Sequence, residues 1–201
     1  MSNSGTALDR EFDRLLGVFS SEKFLRMEGT GNEVPLFIKP YAPSSHNDVE
    51  IQIKALVSKL KNQGLSVLEV ELLSFVRGLL SKGDRLGRLL SKETTFPREK
   101  MLRTMAKWTD PETVLVPAIA QKFQDQAYQL SVIHGVGSVF PFLRTHSILE
   151  NLQPAMVNHP VVMFFPGEYH HREGHGASLH LFGRLEHRGY YRAFNLDDYR
   201  I

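Results

Sequence analysis

Short, continuous apolar runs alternate along this chain with longer stretches in which apolar residues recur every three or four positions. The short runs are 36–38 (Leu-Phe-Ile), 67–70 (Val-Leu-Glu-Val), 130–133 (Leu-Ser-Val-Ile) and 161–165 (Val-Val-Met-Phe-Phe). Each is bounded by turn-forming or polar residues and rich in branched or aromatic side chains, as strands buried on both faces should be. A further strand is expected at 179–185, where leucines alternate, and the aromatic segment 190–194 reads as a short strand or a tail. The longer stretches predict helices. Residues 8–24 carry Leu8, Phe12, Leu15, Leu16 and Phe19 on one face, and 48–63 carry Val49, Ile53, Leu56, Val57 and Leu60 before Gly64 as cap. Residues 74–90 are amphipathic with an expected break near Lys82-Gly83-Asp84, and 98–108 and 111–126 follow. The last of these starts at Thr109-Asp110-Pro111, and Pro117 is expected to delay it. A final helix is expected over 140–152, from Phe140 through Leu143, Ile148 and Leu149 to Leu152.

Strand, helix and strand thus succeed one another. The stretch 128–167 reads as a strand, the glycine turn His134-Gly135-Val136-Gly137-Ser138, a helix and a second strand closed by Pro166-Gly167. Such a unit is parallel and right-handed by default. Residues 33–73 read as another. The pattern predicts an α/β fold: a single three-layer domain spanning 1–201, with a mainly parallel sheet of four or five strands and helices on both faces.

Composition narrows the function classes. A net charge of +2, from 24 basic and 22 acidic residues, gives no electrostatic footprint for nucleic acid or a membrane surface. Direct DNA binding is therefore not expected. The absence of cysteine removes disulfides, thiolate metal sites and Cys nucleophiles. No apolar leader core or membrane-length run is present, so a cytoplasmic location is expected.

The candidate chemistry is sparse. No G-x-x-x-x-G-K-[ST] loop occurs, and Phe140 stands where the third glycine of a dinucleotide fingerprint would fall. The turn at 134–138 still offers backbone donors, so an enzyme binding a nucleotide or anion through this turn and Glu168 is the alternative reading. His170-His171-Arg172-Glu173-Gly174-His175 holds ligands of the kind that bind Zn²⁺ or Ni²⁺. Its glycines point instead to a solvated loop, so no metal or cofactor is expected. Arg144-Thr145-His146-Ser147 lacks an orienting carboxylate, and no catalytic residue is assigned. Glu168, Tyr169, Arg184, Tyr190, Tyr191 and Arg192 gather on or beside the loops that follow two strands. Tyr and Arg anchor interfaces well, because they bury area and still make hydrogen bonds. These six residues are the expected partner-binding set.

Several segments resemble one known family. They are 29–38 (GTGNEVPLFI), 116–120 (VPAIA), 135–144 (GVGSVFPFLR), 151–154 (NLQP), 163–169 (MFFPGEY) and 181–185 (LFGRL). In this order, over nearly the whole chain, they resemble the BrxB family of bacteriophage-exclusion (BREX) systems. The resemblance implies a component of a defence system in which an adenine methyltransferase marks host DNA and other components stop phage replication. It carries over no catalytic residues. It also implies a non-catalytic interaction subunit whose partner is the PglZ-like component, an alkaline-phosphatase-like protein. The stretch 170–177 departs from the family pattern, being longer and richer in histidine.

Overall fold

The computed structural model describes residues 6–28, 35–155, 158–172, 176–191 and 193–200, and for 171, 172, 176, 177 and 185–191 the backbone alone. Five parallel strands form the central sheet: β1 (Leu36–Tyr41), β2 (Val67–Glu71), β3 (Leu130–His134), β4 (Val161–Arg172) and β7 (Phe194–Asn195), in the order β2-β3-β4-β1-β7. The four runs expected as strands are neighbours in this sheet, and all run parallel. β1 and β2 do not pair as a compact unit, because β3 and β4 lie between them.

Side chains alternate across the sheet and build two cores. Phe37, Val67, Leu130, Val132, Val162 and Phe164 face α1 (Ala7–Ser20), α2 (Glu22–Leu25) and α3 (His46–Asn62). Leu36, Ile38, Leu68, Val70, Ile133, Val161, Met163 and Phe165 face the other layer. That layer comprises α4 (Leu72–Ser81), α5 (Arg85–Leu90), α6 (Arg98–Trp108), α7 (Val116–Gln124) and α8 (Thr145–Leu152). The expected three-layer α/β arrangement is therefore present. Burial of such side chains stabilises each by about 1.5–3 kcal/mol relative to exposure.

Local chemistry sets the helix boundaries. The stretch expected as one helix over 8–24 is two, because the Ser21 hydroxyl accepts from the Phe24 N–H and starts α2 afresh. The break expected near Gly83 lies between α4 and α5, with Gly83 and Asp84 both at positive φ. Asp110 caps a π-helical turn (Pro111–Leu115) that leads into α7. The helix expected over 140–152 is shorter. A 3-10 turn (Val136–Val139) follows Gly135, and α8 begins only at Thr145. Proline disfavours helical backbone in the residue before it, here Phe140, which is extended.

The larger correction concerns the end of the chain. Pro166-Gly167 does not close β4, which continues to Arg172 and pairs antiparallel with β5 (Gly176–Leu181). β5 in turn pairs with β6 (Leu185–Tyr191). The single strand expected over 179–185 is thus a hairpin corner, with Phe182 and Gly183 both at positive φ. Tyr190 and Tyr191 end β6, whereas Phe194 opens β7, so the segment 190–194 is not one strand.

The short C-terminal segment is held by charge. The Lys39 ammonium, buried on β1, lies 3.0 Å from Glu11 and 2.5 Å from Asp197, and Arg14 lies 2.9 Å from Glu11. Each charge of this buried group is paired, as burial of an ammonium requires.

Candidate functional site

Ligand sites in parallel α/β sheets lie beyond the C-terminal strand ends. Two features meet there: the glycine turn after β3 and the antiparallel extension formed by the second half of β4 with β5 and β6.

The turn is packed rather than open. Gly135 is left-handed (φ +76), and a Cβ there would lie 2.7 Å from Glu71 Oε1. Glu71 is itself occupied: its carboxylate accepts from the N–H groups of Leu73 and Ser74 at the start of α4. A Cβ on Gly137 would lie 3.1 Å from both the Phe182 ring and Pro166. The glycines thus admit protein groups, and a carboxylate stands where a phosphate would need positive potential.

His134, at the end of β3, is fully buried between two carboxylates. Its Nδ1 is 2.6 Å from Glu50 Oε2 and its Nε2 is 3.3 Å from Glu69 Oε1. Burial alone would lower its pKa, but hydrogen bonds to Glu50 and Glu69, with their charges, raise it to about 9. The hydrogen bond from His134 in turn lowers the pKa of Glu69. The imidazole is therefore a locked cation at neutral pH, unsuited to accept a proton. Tyr41, raised by burial and by the Glu50 charge, stays a neutral phenol hydrogen-bonded to His46.

The opposite end of β3 carries a neutral counterpart. Ser131 Oγ and His159 Nε2 share a hydrogen bond of 2.8 Å, both residues buried, with burial lowering the histidine pKa. The arrangement satisfies two polar groups within the packed interior.

The extension presents a different surface. Its inner side, carrying Tyr169, Leu179 and Leu181, joins the core beneath α8. The Tyr169 hydroxyl, half-buried, donates to the Ala193 carbonyl at 2.7 Å and ties β4 to the segment before β7. Its outer side carries Glu168 and His170, both exposed, with half-buried His180 across from Glu168 on β5. A donor atom from each of the three lies within 4.8 Å of the others, so this group could hold a metal ion. Arg184 is exposed in the turn between β5 and β6. Among the described residues, β6 pairs with β5 alone.

Of the six residues expected to bind a partner, Glu168, Tyr169 and Arg184 thus sit on the extension or its turn, and Tyr190 and Tyr191 belong to the backbone of β6. Arg192 lies outside the described residues, as do Glu173, Gly174 and His175 of the expected histidine loop. His170, His171 and Arg172 are strand, because pairing with β5 extends the ladder past the proline and glycine. His180 and Glu50 escaped the sequence reading. His180 could have been found by alternation along β5, whereas Glu50 is far from His134 in sequence and no local signal links them.

No helix among the described residues is long and apolar enough to cross a membrane. The sequence profile of the family described as "BREX protein BrxB" matches residues 68–196. A protein of Bacillus cereus (strain H3081.97), named BREX protein BrxB, is 31% identical over 95% of this chain and 98% of its own length. A protein of Escherichia coli O9:H4 (strain HS) with the same name is 25% identical over 94% of this chain and 91% of its own length. No solved structure matches the chain.

Proposed function

The chain belongs to the BrxB family of BREX proteins, and from that premise we propose that it serves its defence system as a non-catalytic interaction subunit. The antiparallel extension is the docking element, and the partner is the PglZ-like component. One observation carries this reading: among the described residues β6 is the last strand of the extension and pairs with β5 alone. An open edge offers a row of backbone donors and acceptors to an extended segment of another chain. Exposed Arg184, in the turn that leads into β6, adds a charge that sets the register of a partner.

The buried chemistry supports the same reading. The His134 cluster joins Glu50 of α3 and Glu69 of β2 to the end of β3, so it fixes the frame from which the extension projects.

Co-purification from cells carrying the whole system tests the proposal. The wild-type chain should retain the PglZ-like component, whereas Arg184→Glu should reduce recovery about tenfold with an unchanged melting temperature. Full recovery with Arg184→Glu and with Tyr190→Ala would place docking elsewhere.

A further inference from the structure

The outer side of the extension carries a constellation that docking does not require. Glu168 and His170 are two apart on β4, and so project from the same side of the strand. His180 stands directly opposite Glu168 on β5. Directly paired residues on one face of an antiparallel pair have Cβ atoms about 4.5–5.5 Å apart. Glu168 Oε2 lies 3.0 Å from His170 Nε2, and the rings of His170 and His180 lie 4.7 Å apart between centroids.

We propose that Glu168, His170 and His180 form a binding site for a divalent transition metal of the zinc class. Two imidazoles and a carboxylate are a donor set suited to zinc, and three protein ligands leave a fourth position to water. Tetrahedral bonds of about 2.0–2.2 Å place donors roughly 3.4 Å apart. Donors already within 4.8 Å of one another reach that spacing by side-chain adjustment, with the backbone in place.

The backbone is held where this matters. A Cβ at Gly167 would lie 2.1 Å from the His180 carbonyl oxygen, so only glycine lets β4 approach β5 this closely. The contact is beside the Glu168–His180 pair and fixes its register. Histidine and carboxylate on a regular ladder meet a metal with less ordering cost than on a mobile loop.

The site does not rest on the docking proposal, because its test uses the isolated chain and Arg184 is not a ligand. Tag-free full-length protein is titrated with cobalt(II), followed by visible absorption, and with zinc by calorimetry. One ion per chain is expected, with the intense visible bands of tetrahedral cobalt, bleached by zinc. Glu168→Gln and His170→Ala, both at exposed positions, should each weaken zinc binding at least about tenfold. His180→Ala should do the same. Absence of saturable binding would overturn the proposal. Unchanged affinity in Glu168→Gln and His170→Ala would overturn it too, even if His180→Ala failed to fold.

Discussion

β4 passes through two environments, and the contrast between its halves explains much of the molecule. Its first residues lie between β1 and β3, with Val161, Val162, Met163, Phe164 and Phe165 at most 1% exposed. From Gly167 the strand leaves that sheet and pairs with β5, alternating an inward Tyr169 with outward Glu168 and His170. The first half is fixed by helices on both faces and has no freedom to present chemistry. The second half has one face on the core and one in water, so it can carry charge and histidine without a desolvation cost. Scaffold and display share one strand, divided at a proline and a glycine.

The contrast is tested most strongly in the scaffold half. Phe164 stacks on Phe12 with centroids 6.0 Å apart. Phe164→Ala should cost about 3–5 kcal/mol in urea unfolding. A cost below about 0.5 kcal/mol, the range of ordinary surface substitutions, would show that this half is not the core.

The His134 cluster gives the next effect. His134→Gln should cost about 3 kcal/mol near pH 6, because it leaves Glu50 and Glu69 without their cation. Its pH dependence has a definite sign. A histidine raised from 6.5 to about 9 contributes stability that is fully present below pH 6.5 and lost as pH rises through about 9. The wild-type chain should therefore lose at most about 3 kcal/mol across that window, and the variant should lack this decline. His159, lowered by burial, has the opposite sign: its contribution is present above pH 6.5 and fades as pH falls through its lowered value. Unfolding curves across pH for His134→Gln and His159→Gln separate these contributions.

At the junction, Gly167→Ala sets a methyl group against the His180 carbonyl. A cost of about 1–3 kcal/mol is expected, as for overpacking elsewhere. Hydrogen exchange should quicken in β5 and β6 while β1 and β3 stay protected. Uniform quickening would mean that the two halves unfold as one.

The same division governs what was legible in the sequence. Continuous apolar runs announced all four long parallel strands, since nothing but burial on both faces explains Val161 to Phe165. The extension was hidden because Pro166 and Gly167 are ordinary strand-breaking signals. Only the closeness of the His180 backbone explains a glycine there, and that contact is made across the hairpin. Leu179 to Leu185 was read as one strand because Leu181 and Leu185 keep the alternation, although Phe182 and Gly183 turn between them. The order of β1 and β2 was equally hidden, because nothing local says that β3 and β4 will insert between them. Among candidate residues, Arg184 lies in a turn after β5, whereas Glu168, expected in a loop after the strand, is paired within β4. The pairing of His170 with His180 depends on register, which periodicity within one segment cannot supply.

The most direct test of the division between scaffold and display is a binding measurement on the purified PglZ-like component with three forms of this chain. Arg184→Glu should change stability by less than about 0.5 kcal/mol, as exposed substitutions do, yet weaken binding about tenfold. Ile53→Val, buried in the scaffold on α3, should lower stability by about 0.5–1.5 kcal/mol and leave affinity at the wild-type value. The reverse result, with affinity lost in Ile53→Val and kept in Arg184→Glu, would contradict the account.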